Sequence, residues 1–134
     1  MAFLFEKSQI APNSPDLVWK PATTSETYKV GETLKTSSAG KLTKASGTDV
    51  PEYVCMKDYV APSSNAARIP VTEINPGQYW SVPLQASGAS LKVGDKVTAH
   101  TDGLQVTATT TSGVWTIVEI PATSVGSKIV VKLA

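Results

Sequence analysis

The side chains best suited to covalent catalysis are few. His100 is the only histidine and Cys55 is the only cysteine. Nucleophilic catalysis needs a base beside the nucleophile and a further group that orients the base. A serine with His100 and Asp102 is one triad that can be drawn, but the Gly-x-Ser-x-Gly elbow is absent and Asp102-Gly103 is typical of a hairpin turn. We therefore predict no catalytic residues and no enzyme activity.

Ligands for metals and cofactors are equally scarce. One cysteine and one histidine cannot supply a structural zinc site, and no loop carries the several acidic oxygens that calcium requires. Glu32 and Asp95 could act as the paired carboxylates of a glycoside hydrolase, but each follows a glycine, which is an ordinary turn position. No glycine-rich phosphate loop is present. The sequence predicts no metal site and no cofactor.

The charge of the chain excludes two classes of partner. Twelve basic and eleven acidic residues leave a net charge of +1 over 134 residues. This balance provides no broad field that would attract nucleic acid or an anionic membrane. No apolar run reaches the roughly 18 residues that a membrane helix needs. We expect neither nucleic acid nor a membrane as a partner.

Large apolar side chains are concentrated near the N-terminus, in a segment interrupted by Pro12, Pro15 and Pro21. Disordered tails are poor in such residues, because large apolar groups seek burial. We therefore predict that residues 1–27 form an extended N-terminal arm that docks on another protein. The alternative is that the segment folds back as an edge strand of its own body. The predicted interface residues of the arm are Phe3, Leu4, Phe5, Ile10, Leu17, Val18 and Trp19.

The three tryptophans have different expected roles. Trp19 lies in the irregular segment and is the best candidate for an interface anchor, since tryptophan is enriched at interface hot spots. Trp80 and Trp115 lie in alternating apolar patterns, which favour burial in a core. The alternative is a carbohydrate-binding platform that uses Trp80, Trp115 or Tyr79 as exposed rings.

The elements that carry these residues are predicted to be short β-strands. Valine, threonine and isoleucine make up more than a quarter of the chain, and nine glycines and nine prolines interrupt it. β-branched side chains suit a pleated sheet, and no window of a dozen residues keeps a helical apolar stripe. We predict an all-β fold, a small antiparallel β-barrel or sandwich formed by residues 28–134, preceded by the arm.

A weak internal repeat adds detail to this prediction. The repeated unit is Val-Gly-acid, then a strand, a glycine turn and a second strand, and its copies start at Val30 and Val93. The two copies indicate either two halves of one barrel or two hairpin-related subunits, over residues 28–62 and 68–134.

The sequences Val30-Gly31-Glu32-Thr33-Leu34 and Gly40-Lys41-Leu42-Thr43-Lys44-Ala45 resemble the hairpin of the small β-barrel decoration proteins of tailed-phage heads. The unit Val93-Gly94-Asp95-Lys96-Val97 is similar. The resemblance is best over residues 28–60, and it transfers no functional residue. It implies an accessory protein that binds the outer capsid lattice and reinforces it, often as a trimer.

The sequence therefore predicts a non-enzymatic virion structural protein that binds the outer surface of a phage capsid and bridges its subunits. The expected partners are the major capsid protein and further copies of the chain, with a trimer favoured. Synthesis in the host cytoplasm would precede assembly. The alternatives are another phage component, such as a head fibre or tail protein, and a carbohydrate-binding adhesin module.

Overall fold

The computed structural model describes residues 1–8 and 16–134 of the chain, with the side chain of Ser8 also outside the description. The described residues form β-strands joined by turns and loops, which confirms the predicted all-β class. The twelve strands of this part of the chain are β1 (Leu4–Ser8), β2 (Leu17–Pro21), β3 (Thr27–Tyr28), β4 (Thr33–Thr36), β5 (Leu42–Lys44), β6 (Tyr53–Cys55), β7 (Tyr59–Val60), β8 (Arg68–Glu73), β9 (Gln78–Pro83), β10 (Lys96–Val97), β11 (Trp115–Glu119) and β12 (Lys128–Leu133).

The described residues form two five-stranded sheets and one small sheet. The first sheet has the order β2-β8-β6-β4-β5, and the second has the order β1-β9-β12-β11-β10. Strands β3 and β7 form the small sheet. All named strand pairs are antiparallel. In the part of the chain that the structure describes, neither five-stranded sheet closes through paired edge strands. Only isolated bridges such as Ala22–Leu42 connect the two sides of a sheet, so the fold is a sandwich rather than a closed barrel.

The two large sheets share one strand arrangement. Strands β2, β8, β6 and β4 of the first sheet correspond in order to β9, β12, β11 and β10 of the second. The register corresponds as well, since residues opposite one another in the first sheet have counterparts opposite one another in the second. The matching pairs are Pro21–Arg68 with Pro83–Lys128, Cys55–Val71 with Ile117–Val131, and Leu34–Tyr53 with Val97–Trp115. The first of these arrangements begins at β2, within the segment expected to be an arm.

The Val-Gly-acid units form equivalent turns in the two arrangements. Gly31 has φ +86° and Gly94 has φ +95°, a left-handed conformation that glycine adopts without steric cost. The carboxylate of the following acid accepts a hydrogen bond from the backbone N–H three residues before it, at 3.2 Å for Glu32 and 2.9 Å for Asp95. The repeat therefore marks the entry into β4 and into β10.

Each large sheet covers its own hydrophobic core, and β6 contributes to both. The core of the first sheet contains Ala22, Tyr28, Leu34, Leu42, Cys55, Ala61, Ile69 and Val71. The core of the second contains Phe3, Val54, Ile74, Trp80, Val82, Leu84, Leu91, Val97, Val106, Val114, Trp115, Ile117, Ile129 and Val131. Because Val54 belongs to the second core and its neighbour Cys55 to the first, opposite faces of β6 serve different cores.

The extended N-terminal arm expected over residues 1–27 does not appear in the described part of that segment. Strand β1 pairs with β9 at the edge of the second sheet, and β2 pairs with β8 at the edge of the first. The physical reason is that backbone pairing and burial of Phe3 and Ala22 satisfy the segment within its own chain. The structure therefore matches the alternative, a segment that folds back onto its own sheets.

Candidate interaction surface

Two of the residues considered for catalysis, Asp102 and Cys55, have structural roles in the folded chain. Both carboxylate oxygens of Asp102 accept hydrogen bonds within its own turn, from the Leu104 N–H and the Gln105 Nε2, each at 2.8 Å. The Cys55 thiol is buried and donates to the Lys57 carbonyl at 3.1 Å. Burial raises the pKa of Cys55, which disfavours the reactive thiolate. Among residues 1–8 and 16–134, no group of three or more metal-binding side chains comes together.

Glu32 is an acid whose environment strongly changes its ionisation. The side chain is buried, and this burial raises the pKa of Glu32 to about 7, against a smaller opposing effect of Lys44. One carboxylate oxygen accepts the Lys29 N–H, and the other has no hydrogen-bond partner in the part of the chain that the structure describes. Glu32 belongs to the turn at Gly31, which is buried in the folded chain. Burial is therefore a sufficient structural cause for the raised pKa of its carboxyl group.

Two of the predicted interface residues belong to the protein's own core. Phe3 is only 1% exposed, and its ring stacks on Trp115 with centroids 4.8 Å apart. Phe5 is half-buried and meets the Trp80 ring edge-on at 5.6 Å. Phe3 is therefore not available to a partner, and Phe5 is only partly available.

The other described members of that set lie at the surface. Leu4 is 46% exposed, Leu17 is 56% exposed and Trp19 is 58% exposed. Val18 is half-buried against the first core. Ile10 lies outside the described residues. The structure does not bring these side chains together in one patch, because Leu4 is in the second sheet and the others are in the first.

An apolar groove lies where β1 approaches the first sheet. Its volume is about 660 Å³, counting the space open to solvent at its mouth. Leu4, Val30 and Met56 line it, and each is exposed by more than two-fifths. The complete lining is Phe3, Leu4, Phe5, Val30, Gly31, Met56, Thr72 and Trp80. We call this feature the β1 groove.

Sequence reasoning found Leu4 but missed Val30 and Met56. Val30 belongs to a turn unit and Met56 follows a short strand, so each is an isolated apolar residue in the sequence. Single exposed apolar residues are common and carry no signal by themselves. They become a surface feature because the Phe3 N–H donates to the Gly31 carbonyl at 3.0 Å, which holds β1 beside both.

The adhesin alternative requires aromatic rings at the surface. Trp80 and Trp115 are both buried, and they pack in the second core. Of the three rings considered for a carbohydrate platform, only Tyr79 is even partly exposed. A stacking platform built from these residues is therefore not formed.

The fold resembles a phage head-fibre base. The chain matches the crystal structure of the head fiber gp8.5 N base of bacteriophage phi29 with a TM-score of 0.57. The match covers 89% of this chain and 95% of that one, at 18% sequence identity. At this identity the comparison shows a shared fold over nearly the whole of both chains. No protein-family model matches the sequence, and neither does any curated protein.

In the two described ranges, no helix is long and apolar enough to cross a bilayer.

Proposed function

We propose that this protein is a non-enzymatic structural component of a tailed-phage virion, bound to the outer surface of the capsid. There it reinforces the shell by bridging capsid subunits, with the major capsid protein as its partner. The observation that supports this proposal is the fold shared with the phi29 head-fibre base over nine-tenths of the chain.

The β1 groove is the surface we assign to the capsid. Its rim of Leu4, Val30 and Met56 is apolar and exposed. An apolar side chain of the capsid would be stabilised here by burial, at about 25 cal/mol per Å² removed from water.

A modest contact of this size suits a protein that binds a lattice. One apolar side chain in a groove contributes only about 2 kcal/mol of burial energy. A copy that bridges two capsid subunits makes the second contact at a high effective concentration, so weak contacts add up to stable attachment. The near-zero net charge fits this role, because attachment would then depend little on salt.

A second candidate is the base of a head fibre. The same comparison favours it, because the matching protein is itself described as a head fibre base. Both candidates place the protein on the phage head, but a base must also carry a projecting fibre. Electron microscopy of virions separates the two by the presence or absence of a fibre above the density of this domain.

Binding to purified capsids tests the proposed contact. Met56→Asp and Leu4→Asp place a charge on the rim of the β1 groove, and each should weaken binding roughly tenfold or more, because an apolar contact is replaced by a desolvated charge. Val125→Asp is the matched control, since Val125 is 67% exposed and lies outside the groove. Capsid binding by the two groove variants that equals the control would contradict the assignment.

A further inference from the structure

The two matching strand arrangements differ at one edge. In the second sheet, β1 covers the outer edge of β9. In the first sheet, β2 occupies the corresponding position, and along Leu17–Pro21 no strand of the described residues pairs with its outer edge. Just beyond the strand, Ala22 forms a single parallel bridge with Leu42 of β5. An uncovered strand edge exposes backbone donors and acceptors that favour pairing with another strand. The edge of β2 is therefore the open counterpart of an edge that this chain elsewhere protects.

Hydrogen bonds next to the strand show which backbone groups point outward from β2. The Ala22 N–H donates to the Ala67 carbonyl, in register with the β2–β8 pairs. Because antiparallel partners alternate between bonded and non-bonded pairs, Lys20 and Val18 also bond toward β8. The N–H and C=O groups of Leu17 and Trp19 therefore point to the free edge. The Trp19 carbonyl also accepts a hydrogen bond from the Arg68 Nη1 at 3.3 Å, and its second lone pair stays available to a partner strand.

We propose that the β2 edge pairs with the β2 edge of a second copy of this chain, antiparallel about a two-fold axis at Val18. In this register Leu17 lies opposite Trp19 of the second copy, and both are residues whose backbone groups point outward. Four backbone hydrogen bonds form, two from each Leu17–Trp19 pair. The two first sheets then join as one sheet of roughly ten strands, the sum of two five-stranded sheets.

The side chains of β2 and of Asp16, the residue just before it, are self-complementary in this register. Asp16 lies opposite Lys20 of the second copy, which forms two opposite-charge pairs across the axis. They share the face of Val18, since the Lys20 Nζ lies 5.6 Å from the Tyr53 ring, which packs against the same core. The opposite face carries the exposed Leu17 and Trp19, so apolar residues meet apolar residues there.

Neighbouring registers lose these matches. A shift by two residues places either Leu17 opposite Pro21, which has no N–H to donate, or Leu17 opposite itself, and in both cases Asp16 loses Lys20. A shift by one residue places backbone groups that point to the free edge in one copy opposite groups that bond toward β8 in the other, so they cannot pair. The register centred on Val18 thus uses all the free donors and both charges.

The contact involves one strand from each copy, well below the roughly 1,600 Å² of a standard stable interface. We therefore expect a weak dimer that is populated toward millimolar concentration in solution, and more fully where copies are held close together on a surface. This inference concerns only contacts between copies of this chain, so it stands or falls independently of the proposed function. The trimer implied by the resemblance to decoration proteins would require a different interface.

Sedimentation of the full-length chain over a range of concentrations tests the charge pairing. Asp16→Lys or Lys20→Asp alone places two like charges opposite each other across the axis. Each should weaken dimerisation roughly tenfold. The double variant Asp16→Lys/Lys20→Asp restores opposite charges in this register only, and should recover wild-type dimerisation. The thermal unfolding midpoint of each variant checks that the fold is kept.

Disulfide trapping provides a second test that depends on geometry. Val18 meets its own copy as a non-bonded pair, whose Cα atoms lie about 4.5 Å apart, within the range that a disulfide bridges. Val18→Cys should therefore form a covalent dimer on oxidation, whereas the exposed control Val125→Cys should not. Native Cys55 is buried and does not interfere.

A monomer at every concentration without Val18→Cys cross-linking would overturn the proposal. So would a dimer or trimer that is insensitive to the charge reversals, because it would form through another surface. Failure of the double variant to recover would rule out this register, and capsid binding through β2 without self-association would assign the edge to a capsid strand.

Discussion

The outer edges of the two large sheets are built alike and are protected differently. β1 pairs along β9, and Phe3, the residue just before β1, lies in the second core and stacks on Trp115. β2 has no such cover among the described residues, and its Trp19 is 58% exposed. The comparison shows that an aromatic residue near the N-terminus is core or surface according to the sheet that its strand joins. It also shows that this chain adds an outer strand, β1, beside β9 and none of the described strands beside the equivalent β2.

Truncation of Phe3 and of Trp19 should give the largest difference in unfolding free energy between the two edges. Phe3→Ala removes a fully buried ring and should lower the free energy of unfolding by about 3–5 kcal/mol. Trp19→Ala removes a largely exposed ring and should cost under about 1 kcal/mol in the monomer. Urea denaturation at low protein concentration measures both. Equal losses for the two variants would mean that the two edges are not protected differently.

The two glycine turns sharpen the comparison. Alanine at either Gly31 or Gly94 is strained by the positive φ, but a Cβ at Gly31 would also collide with Ala2 beside β1. A Cβ at Gly94 meets no atom within 4 Å. We expect Gly31→Ala to destabilise the protein by about 1–3 kcal/mol more than Gly94→Ala. Similar unfolding free energies for both variants would show that β1 does not press on this turn.

The buried carboxyl group of Glu32 should make the free energy of unfolding depend on pH. The pKa of Glu32 is raised from 4.5 in its ordinary state to about 7 in the fold, so folding favours its protonated form. Stability from this group is fully present below pH 4.5, declines as the pH rises through 7, and is lost above it. Glu32→Gln should flatten this decline, measured as the unfolding midpoint between pH 5 and pH 8.

Much of the fold could be read from local sequence. The β-branched content and frequent glycines predict an all-β chain, and the strand patterns place Trp80 and Trp115 in a core, where both are found. The Val-Gly-acid unit identifies the turns at Gly31 and Gly94, because a left-handed turn conformation and a short acid that bonds its own backbone are local requirements. The scarcity of catalytic residue types was also visible from composition alone.

The proposed interaction surfaces were less predictable, because they depend on which strands pair. Leu4 and Met56 are more than fifty residues apart, and they share a groove only because β1 joins the second sheet beside the Gly31 turn. In the same way, nothing near Trp19 in the sequence states whether another strand covers β2.

Side-chain type and alternation along the chain were enough to specify strands, turns and the residues that seek burial. Turns depend on local backbone preference, and the buried side of a strand follows from the alternation of its side chains between two faces. The tertiary structure alone decided that Phe3 is core and Trp19 is surface. A strand edge is satisfied by any partner with free backbone groups, and the choice between β9, some seventy residues away, and a foreign surface depends on the free energy of the whole assembled sheet.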